Sequence, residues 1–313
     1  MKKRTDLYKM ITDKIIAELE TGTVPWEQPW FSTAHHNPVT GTVYSGINVM
    51  LLSIAQHDNG FSAPVWTTFK GAKSADCSVA KGSKCSHVVF SKPVIIKGKE
   101  TDFYLDQDGN TVTGKKRIFM LRSTPVFNID QLSGSDESLA KLRKKIERPT
   151  TTVIERFEMV ESMVEASGAV VKDGGNRAYY TTNGDYIGMP ALETFKDAGA
   201  HASTLLHELT HWTGHKSRLD RDLSGGFGSE DYAFEELVAE QGAAFLMGSL
   251  GLKYRTQHAS YIESWLKALK NDKRYIVRAA AKANKASNYL WALYDAAMDS
   301  AEMTEEVAAH LAA

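Results

Sequence analysis

ASTLLHELTHWTGH, residues 202–215, decides how the rest of the chain is read. His207 and His211 are four residues apart, so on a helix they leave the same face and aim at one point. Glu208 follows His207 at about 100° around the axis, close enough to reach a water held between the two imidazoles. Leu205, Leu209 and Trp212 form the neighbouring apolar stripe that would seat this helix in a core, and Gly214 is expected to close it as a C-cap. Two neutral imidazoles with an adjacent carboxylate are what a hydrolytic metal site requires. The ion lowers the pKa of water towards ~7, and the carboxylate takes the proton as general base. The alternative, two histidines bonded to ordinary neighbours, does not call for Glu208 between them. The reading adopted is an HExxH site with His207 and His211 as ligands and Glu208 as catalytic base. Its metal is Zn²⁺, with another divalent ion such as Mn²⁺ as the alternative.

A third ligand is needed. A histidine six residues beyond His211 would mark one branch of such enzymes, but that position is Ser217. His215 lies past the expected helix end and its direction is open. The stretch SEDYAFEELVAEQGAAFLMG, residues 229–248, reads as a helix with Ser229 as N-cap and Glu230 and Asp231 in its first turn. Glu236 and Glu240 share one face of it, beside the small residues Ala239, Ala243 and Ala244, which permit close packing. Like charges at this spacing repel by about 0.2–0.5 kcal/mol unless a cation lies opposite. Glu236 as metal ligand, with Glu240 orienting a ligand histidine from behind, answers that repulsion. Glu240 as the ligand is the rival reading, and a solvated acidic face is the bland one. Between the two helices, Gly225, Gly226 and Gly228 loosen a connection that either gates the cleft or merely joins its walls.

Working outward, 313 residues with 42% hydrophobic and 24% charged side chains suit a globular protein of two domains. No run approaches the roughly 20 apolar residues of a membrane span. Asp6, Asp13, Glu18 and Glu20 interrupt the apolar positions of the opening segment, which therefore reads as an amphipathic helix and not a leader. The expected location is the cytoplasm, with no membrane partner. Cys77 and Cys85 lack metal-ligand spacing; a cluster with His87 is the alternative to two reduced thiols. Residues 1–130 carry 16 Lys+Arg against 12 Asp+Glu, a balance of +4, which leaves 21 against 26, or −5, for residues 131–313. Only the first part could face a polyanion by charge.

Helices are expected over residues 5–20 and Ile47–His57, and then the pattern turns strand-like. HVVFSKPVII, DFYLD and RIFMLRSTPVFNI follow, with DQDGN (106–110) as a hairpin turn that lacks the later Glu of a calcium loop. A polar, charged stretch ends the first domain. A helix over Val153–Ala166, a strand pair (Ala169–Lys172 with Arg177–Tyr180) and the extended DYIGMP precede the metal helix. The fold class is therefore α+β: an N-terminal α+β domain over 1–132, a linker over 133–150 and a mostly helical domain over 151–313. In the first of these, Trp26, Trp30, Tyr44, Trp66 and Phe69 occur together with Lys70, Lys73, Lys81 and Lys84, the mixture of stacking faces and cations that single-strand binding uses. The competing reading is that the rings fill a small core.

LYKMITDKIIAELETGTVPWEQPW, TGTVYSGINVMLLS, WTTFKGAK with VAKGSK, and VFNIDQL resemble, in that order, the N-terminal domain of ArdC-type antirestriction proteins, also found at the front of plasmid conjugation primases. LLHELTHWTGHKSRLDRDLSGGFGSEDYAFEELVAEQGAAFL looks like the zincin-like metallopeptidase domain of that family. The resemblance spans nearly the whole chain; KGSKCSHVVF departs from the usual run at Cys85 and His87. It implies a single-stranded-DNA-binding domain, a zincin fold and protection of incoming conjugative DNA from restriction, with a host restriction-related protein as a candidate target. Carried over by motif position, Trp26, Trp30, Tyr44, Asn48, Trp66, Lys70, Lys81 and Lys84 are the expected DNA contacts.

Overall fold

The computed structural model describes residues 6–312 except 29–30, 32, 100, 106–110, 144–150, 227 and 255–260, and side chains as far as 301 apart from that of Leu105. Trp30, the DQDGN turn and the end of the expected linker thus lie outside the described residues.

The chain opens with α1 (Leu7–Glu20), capped by Asp6, whose carboxylate accepts from the Lys9 N–H. Ile11, Ile15 and Leu19 recur every four residues and bury one face. A short 3₁₀ turn (Pro25–Glu27) and the strand pair β1 (His36–Asn37) and β2 (Thr42–Val43) lead to α2 (Ile47–Asn59). Gly60 ends α2 in the left-handed conformation, at φ 65°. Next come β3 (Trp66–Thr67), α3 (Phe69–Ser74) and β4 (Ser78–Val79). A long antiparallel ribbon of β5 (Ser86–Lys97) and β8 (Lys115–Asn128) follows, with β6 (Phe103–Leu105) and β7 (Thr111–Thr113) paired between its strands. β3 joins β8 at the ribbon's root. β9 (Leu132–Ser133) pairs with β4, and α4 (Asp136–Arg143) buries Leu142. The start of the polar stretch expected as linker is therefore built into the N-terminal part.

The second half begins with α5 (Val153–Ser167), entered through a Thr152–Glu155 capping box and closed by Gly168. β10 (Val170–Asp173), β11 (Tyr179–Thr181) and β12 (Tyr186–Met189) form a sheet in the order β10-β12-β11. This corrects the expected pairing of the first two strands: β12 inserts between them, parallel to β10 and antiparallel to β11. α6 (Ala198–Trp212), α7 (Glu230–Ser249), α8 (Ile262–Asn271) and α9 (Tyr275–Ala312) complete the chain. Among the described residues no helix is long and apolar enough to cross a membrane.

The main core draws on both halves. Ile11 and Ile15 of α1, Trp26, and Met50 and Ile54 of α2 belong to the same apolar cluster as Leu206, Leu237, Trp265 and Ile276. The Trp26 and Trp265 rings lie 5.8 Å apart, and the Thr12 hydroxyl donates to the carbonyl of Lys273 at 2.8 Å. Two smaller clusters, one around Trp66 and one around Ile129, contain N-terminal residues alone.

Candidate metal centre

Asp197 caps α6 by accepting from the Ala200 N–H at 2.8 Å, and Leu205, Leu206, Leu209 and Trp212 are buried along it. The helix is thereby fixed with His207 and His211 turned to α7. Their rings meet edge to face, 4.8 Å between centroids. α7 approaches closely because Gly242 faces Thr210; a Cβ there would lie 2.5 Å from Thr210 Cγ2. Gly214 has a different job from the expected left-handed cap, since its φ is not positive and Thr213 occupies the cap. A Cβ on it would come within 2.9 Å of the Arg221 guanidinium, so this glycine makes room for a side chain.

Glu236 of α7 presents one carboxylate oxygen to each imidazole, Oε2 at 3.5 Å from His207 Nε2 and Oε1 at 3.6 Å from His211 Nε2. A tetrahedral ion with ligands at ~2.05 Å separates its donors by about 3.3 Å, close to both of these distances. Ligand atoms of these three residues all lie within 4.8 Å of one another, and they form the single such group among the described residues. Glu240 is fully buried on the other side of His207, with Oε1 3.8 Å from Nδ1 and Oε2 accepting from the Tyr254 hydroxyl at 2.7 Å. Of the two carboxylates, Glu236 meets the Nε2 atoms and Glu240 backs a ring. His215 turns instead to the Ser217 hydroxyl, 2.7 Å away. Cys85 and His87 lie 3.9 Å apart, and Cys77 is buried in the Ile129 cluster without joining them.

Sequence reasoning missed Glu235. Its Oε1 accepts from His211 Nδ1 at 3.2 Å, and the buried Arg221 clamps it, with Nε 3.0 Å from Oε2 and Nη2 2.7 Å from Oε1. Arg221 also donates to the Thr213 hydroxyl and the Thr210 carbonyl, tying the loop after α6 back to that helix. The available signal was the Glu-Glu pair on a helix buried on every side. Burial works against a charged His211, but Glu235 and Glu236 outweigh it and raise the imidazole to about 10. Glu236 is also buried, yet its histidine partners hold its carboxyl far below the ordinary range.

The three groups and Glu208 open on a cleft of about 310 Å³, walled by β11 on one side and by Asp222, Leu223 and Tyr232 on the other. Arg218 braces that wall from behind, donating to Asp185 at 2.9 Å while stacked 3.7 Å from the Trp212 ring centroid.

The expected DNA contacts divide. Trp26, Trp66 and Tyr44 are 1%, 0% and 9% exposed, so their faces are packed against protein and not offered to bases. This is a correction, and the reason is the energy of burying such large rings. The Trp66 N–H even has an internal acceptor, His35 Nδ1 at 3.0 Å, and that ring's Nε2 meets Ser53. Asn48 is also engaged: its amide pairs with both backbone groups of Val89, at 2.8 and 2.7 Å, as a neighbouring strand would. Lys70, Lys81 and Lys84 are exposed.

An HExxH helix facing a carboxylate-bearing helix beside a small sheet is the arrangement of a zincin-like metallopeptidase, and the model of that family matches residues 158–282. The model of the N-terminal domain of anti-restriction factor ArdC matches residues 5–127. The chain belongs to the ArdC family of antirestriction proteins. It is 38% identical to the crystal structure of antirestriction ArdC from plasmid R388, metal-free, over 93% of this chain and 98% of that one, with a TM-score of 0.74. The Mn(II)-bound structure of the same protein gives a TM-score of 0.73. Protein y4eC of Sinorhizobium fredii is 35% identical over 92% of both chains. DNA primase TraC of Escherichia coli is 38% identical over 91% of this chain, which spans only 27% of that protein's length.

Proposed function

We propose that the chain is an antirestriction protein that binds single-stranded DNA and shields incoming plasmid DNA, and that it carries a competent metallopeptidase site. The N-terminal unit (1–132) would bind DNA, and the C-terminal unit (151–313) would hold the metal. The observation that carries the metal reading is the Glu236 carboxylate, which meets both Nε2 atoms at 3.5 and 3.6 Å. His207, His211 and Glu236 would hold a divalent ion. Zinc suits two imidazoles and a carboxylate, and the manganese in the R388 relative keeps Mn²⁺ as the alternative. When bound, the ion polarises a carbonyl and acidifies water.

Everything else falls to protein groups. Glu208 accepts the proton of the attacking water and returns it to the departing amine. Glu235 holds the His211 imidazole through Nδ1, which keeps Nε2 directed at the ion, and the Glu240 carboxylate stands 3.8 Å behind Nδ1 of His207. β11, as an edge of its sheet, lies along the cleft where an extended peptide could pair with it.

A second reading makes proteolysis of a DNA-bound or cytosolic protein, such as a host restriction-related target, the main activity. It is favoured by Glu208, which metal holding alone does not require. One comparison separates the readings: wild type against Glu208→Ala, scored for single-strand binding and for restriction protection during conjugative transfer. Full protection by the variant supports shielding by binding; loss of protection with binding intact supports proteolysis. The double variant His207→Ala/His211→Ala is expected to purify without metal, and retained metal would overturn the site.

A further inference from the structure

With Trp26, Tyr44 and Trp66 committed to the core, the single-strand-binding reading needs another surface, and the ribbon supplies one. Beyond Val89 the β5–β8 pair turns outward, with Leu121 still packed on the main core and residues 118–123 lining a cleft with Leu7, Tyr8 and Arg274. Phe90 is 49% exposed and Phe119 64%, and Phe103 of the adjoining β6 reaches 65%. Large apolar rings this open, on a two-stranded element, are costly to leave in water unless something covers them.

The charge on the same segment says what. Residues 90–97 pair with 115–122 in eight successive rungs, a length of about 25 Å. Those residues include Lys92, Lys97, Lys115, Lys116, Arg117 and Arg122 and not one carboxylate. In the sequence the acids of this region, Glu100, Asp102, Asp106 and Asp108, come between the two strands and outside the paired rungs. Register distributes the groups evenly, because side chains alternate between faces. Phe90 shares its face with Arg122, Lys92 and Lys116; Phe119 shares the other with Arg117, Lys97 and Lys115. At the root, where α3 meets β8, the exposed Phe69 stands beside Lys70 and Lys73, extending the same mixture.

We propose that the β5–β8 ribbon is the element on which single-stranded DNA lies, with bases stacked on the exposed phenylalanine of the face it takes, Phe90 or Phe119, and phosphates met by the lysines and arginines of that face. The inference rests on the single-strand reading above and gives it a location. A duplex presents its bases already stacked and leaves these rings uncovered. A second copy of the same ribbon would set cations against cations. Unstacked bases on a flexible polyanion satisfy both features.

The test uses the full chain and a fluorescein-labelled 30-mer oligo-dT, read by anisotropy at two salt concentrations, with the same-length duplex as a parallel probe. Phe90→Ala/Phe119→Ala is expected to weaken oligo-dT binding by about ten-fold or more. Lys115→Glu/Lys116→Glu is expected to weaken it and flatten its salt dependence, by about 0.7 in the log–log slope for each phosphate that is no longer neutralised. Both pairs lie on the exposed part of the ribbon, so melting curves and metal content should match wild type.

If wild type binds no oligo-dT, the single-strand reading falls and this inference with it. If wild type binds but both variants stay within two-fold of it, the ribbon is not the site, although the reading stands. Duplex binding that is tighter than oligo-dT binding and is lost in the variants would assign the ribbon to double-stranded DNA. A wild-type dimer that the phenylalanine variant dissociates would assign it to self-association. Either result overturns the proposal.

Discussion

Adjacent glutamates at 235 and 236 do different work because successive helix positions diverge by about 100°. Glu236 reaches both Nε2 atoms, whereas Glu235 turns to His211 Nδ1 and the Arg221 guanidinium. The second arrangement orients the ring and leaves its outer nitrogen directed at the ion. Glu235→Gln, which keeps the shape and removes the charge, should lower metal affinity by about 10–100-fold in a chelator competition. Unchanged affinity would mean that the ring is positioned by packing alone. Arg221→Ala leaves Glu235 buried with the guanidinium removed and only His211 beside it, and should cost about 3 kcal/mol in urea unfolding. His207, Glu208 and His211 were legible in the sequence because their relation is local and helical spacing alone brings them together. Glu235 was not, because its partners come from another helix and a loop. The burial of Trp26, Tyr44 and Trp66 was illegible for a related reason: hydropathy marks a tryptophan as large and apolar, but not whether another element covers it.

At the scale of elements, the site depends on how closely α7 approaches α6. Gly242 against Thr210 sets that distance, so Gly242→Val should cost about 1–3 kcal/mol by overpacking and should also weaken metal binding by pushing Glu236 away. A variant with lower melting temperature and normal metal affinity would show that the helices separate without moving the carboxylate. The sheet beside them is secured through Asp185. Its hydrogen bond from Arg218 is the chief cause that holds its carboxyl at about 2, below the ordinary 3.8. A depressed carboxylate contributes stability above its unfolded value and loses that contribution as pH falls through the folded one. The gap in melting temperature between wild type and Asp185→Asn should therefore be constant above pH ~5 and shrink towards pH ~2. A gap that persists at the acid end would remove the Asp185 charge as its source. The strand segments themselves were readable from alternation, but the order β10-β12-β11 was not, since chain order does not say which strand takes the middle of a sheet.

At the scale of the molecule, α1 and α2 complete a core whose other walls are the metal-bearing helices. Ion pairs reinforce the contact, Lys273 with Asp6 and Lys270 with Glu20, each at 2.6 Å, although exposed pairs contribute little. The shared apolar surface matters more. Trp26→Ala should cost about 3–5 kcal/mol and lower the unfolding of the whole chain as one transition, followed by calorimetry. Two separated transitions, only one of them shifted, would show that the halves unfold independently.

The HExxH helix and its companion helix were determined by sequence alone, because spacing along a helix is fixed by 3.6 residues per turn and needs no knowledge of neighbours. The ordered motifs along the chain carried the family resemblance in the same way. Tertiary structure decided which carboxylate faces the imidazole nitrogens, which glycine makes room instead of turning the chain, and which aromatics remain open to solvent. Those are questions of what lies opposite a side chain. The answer comes from residues far away in sequence, brought there by the burial of a core that no local pattern describes.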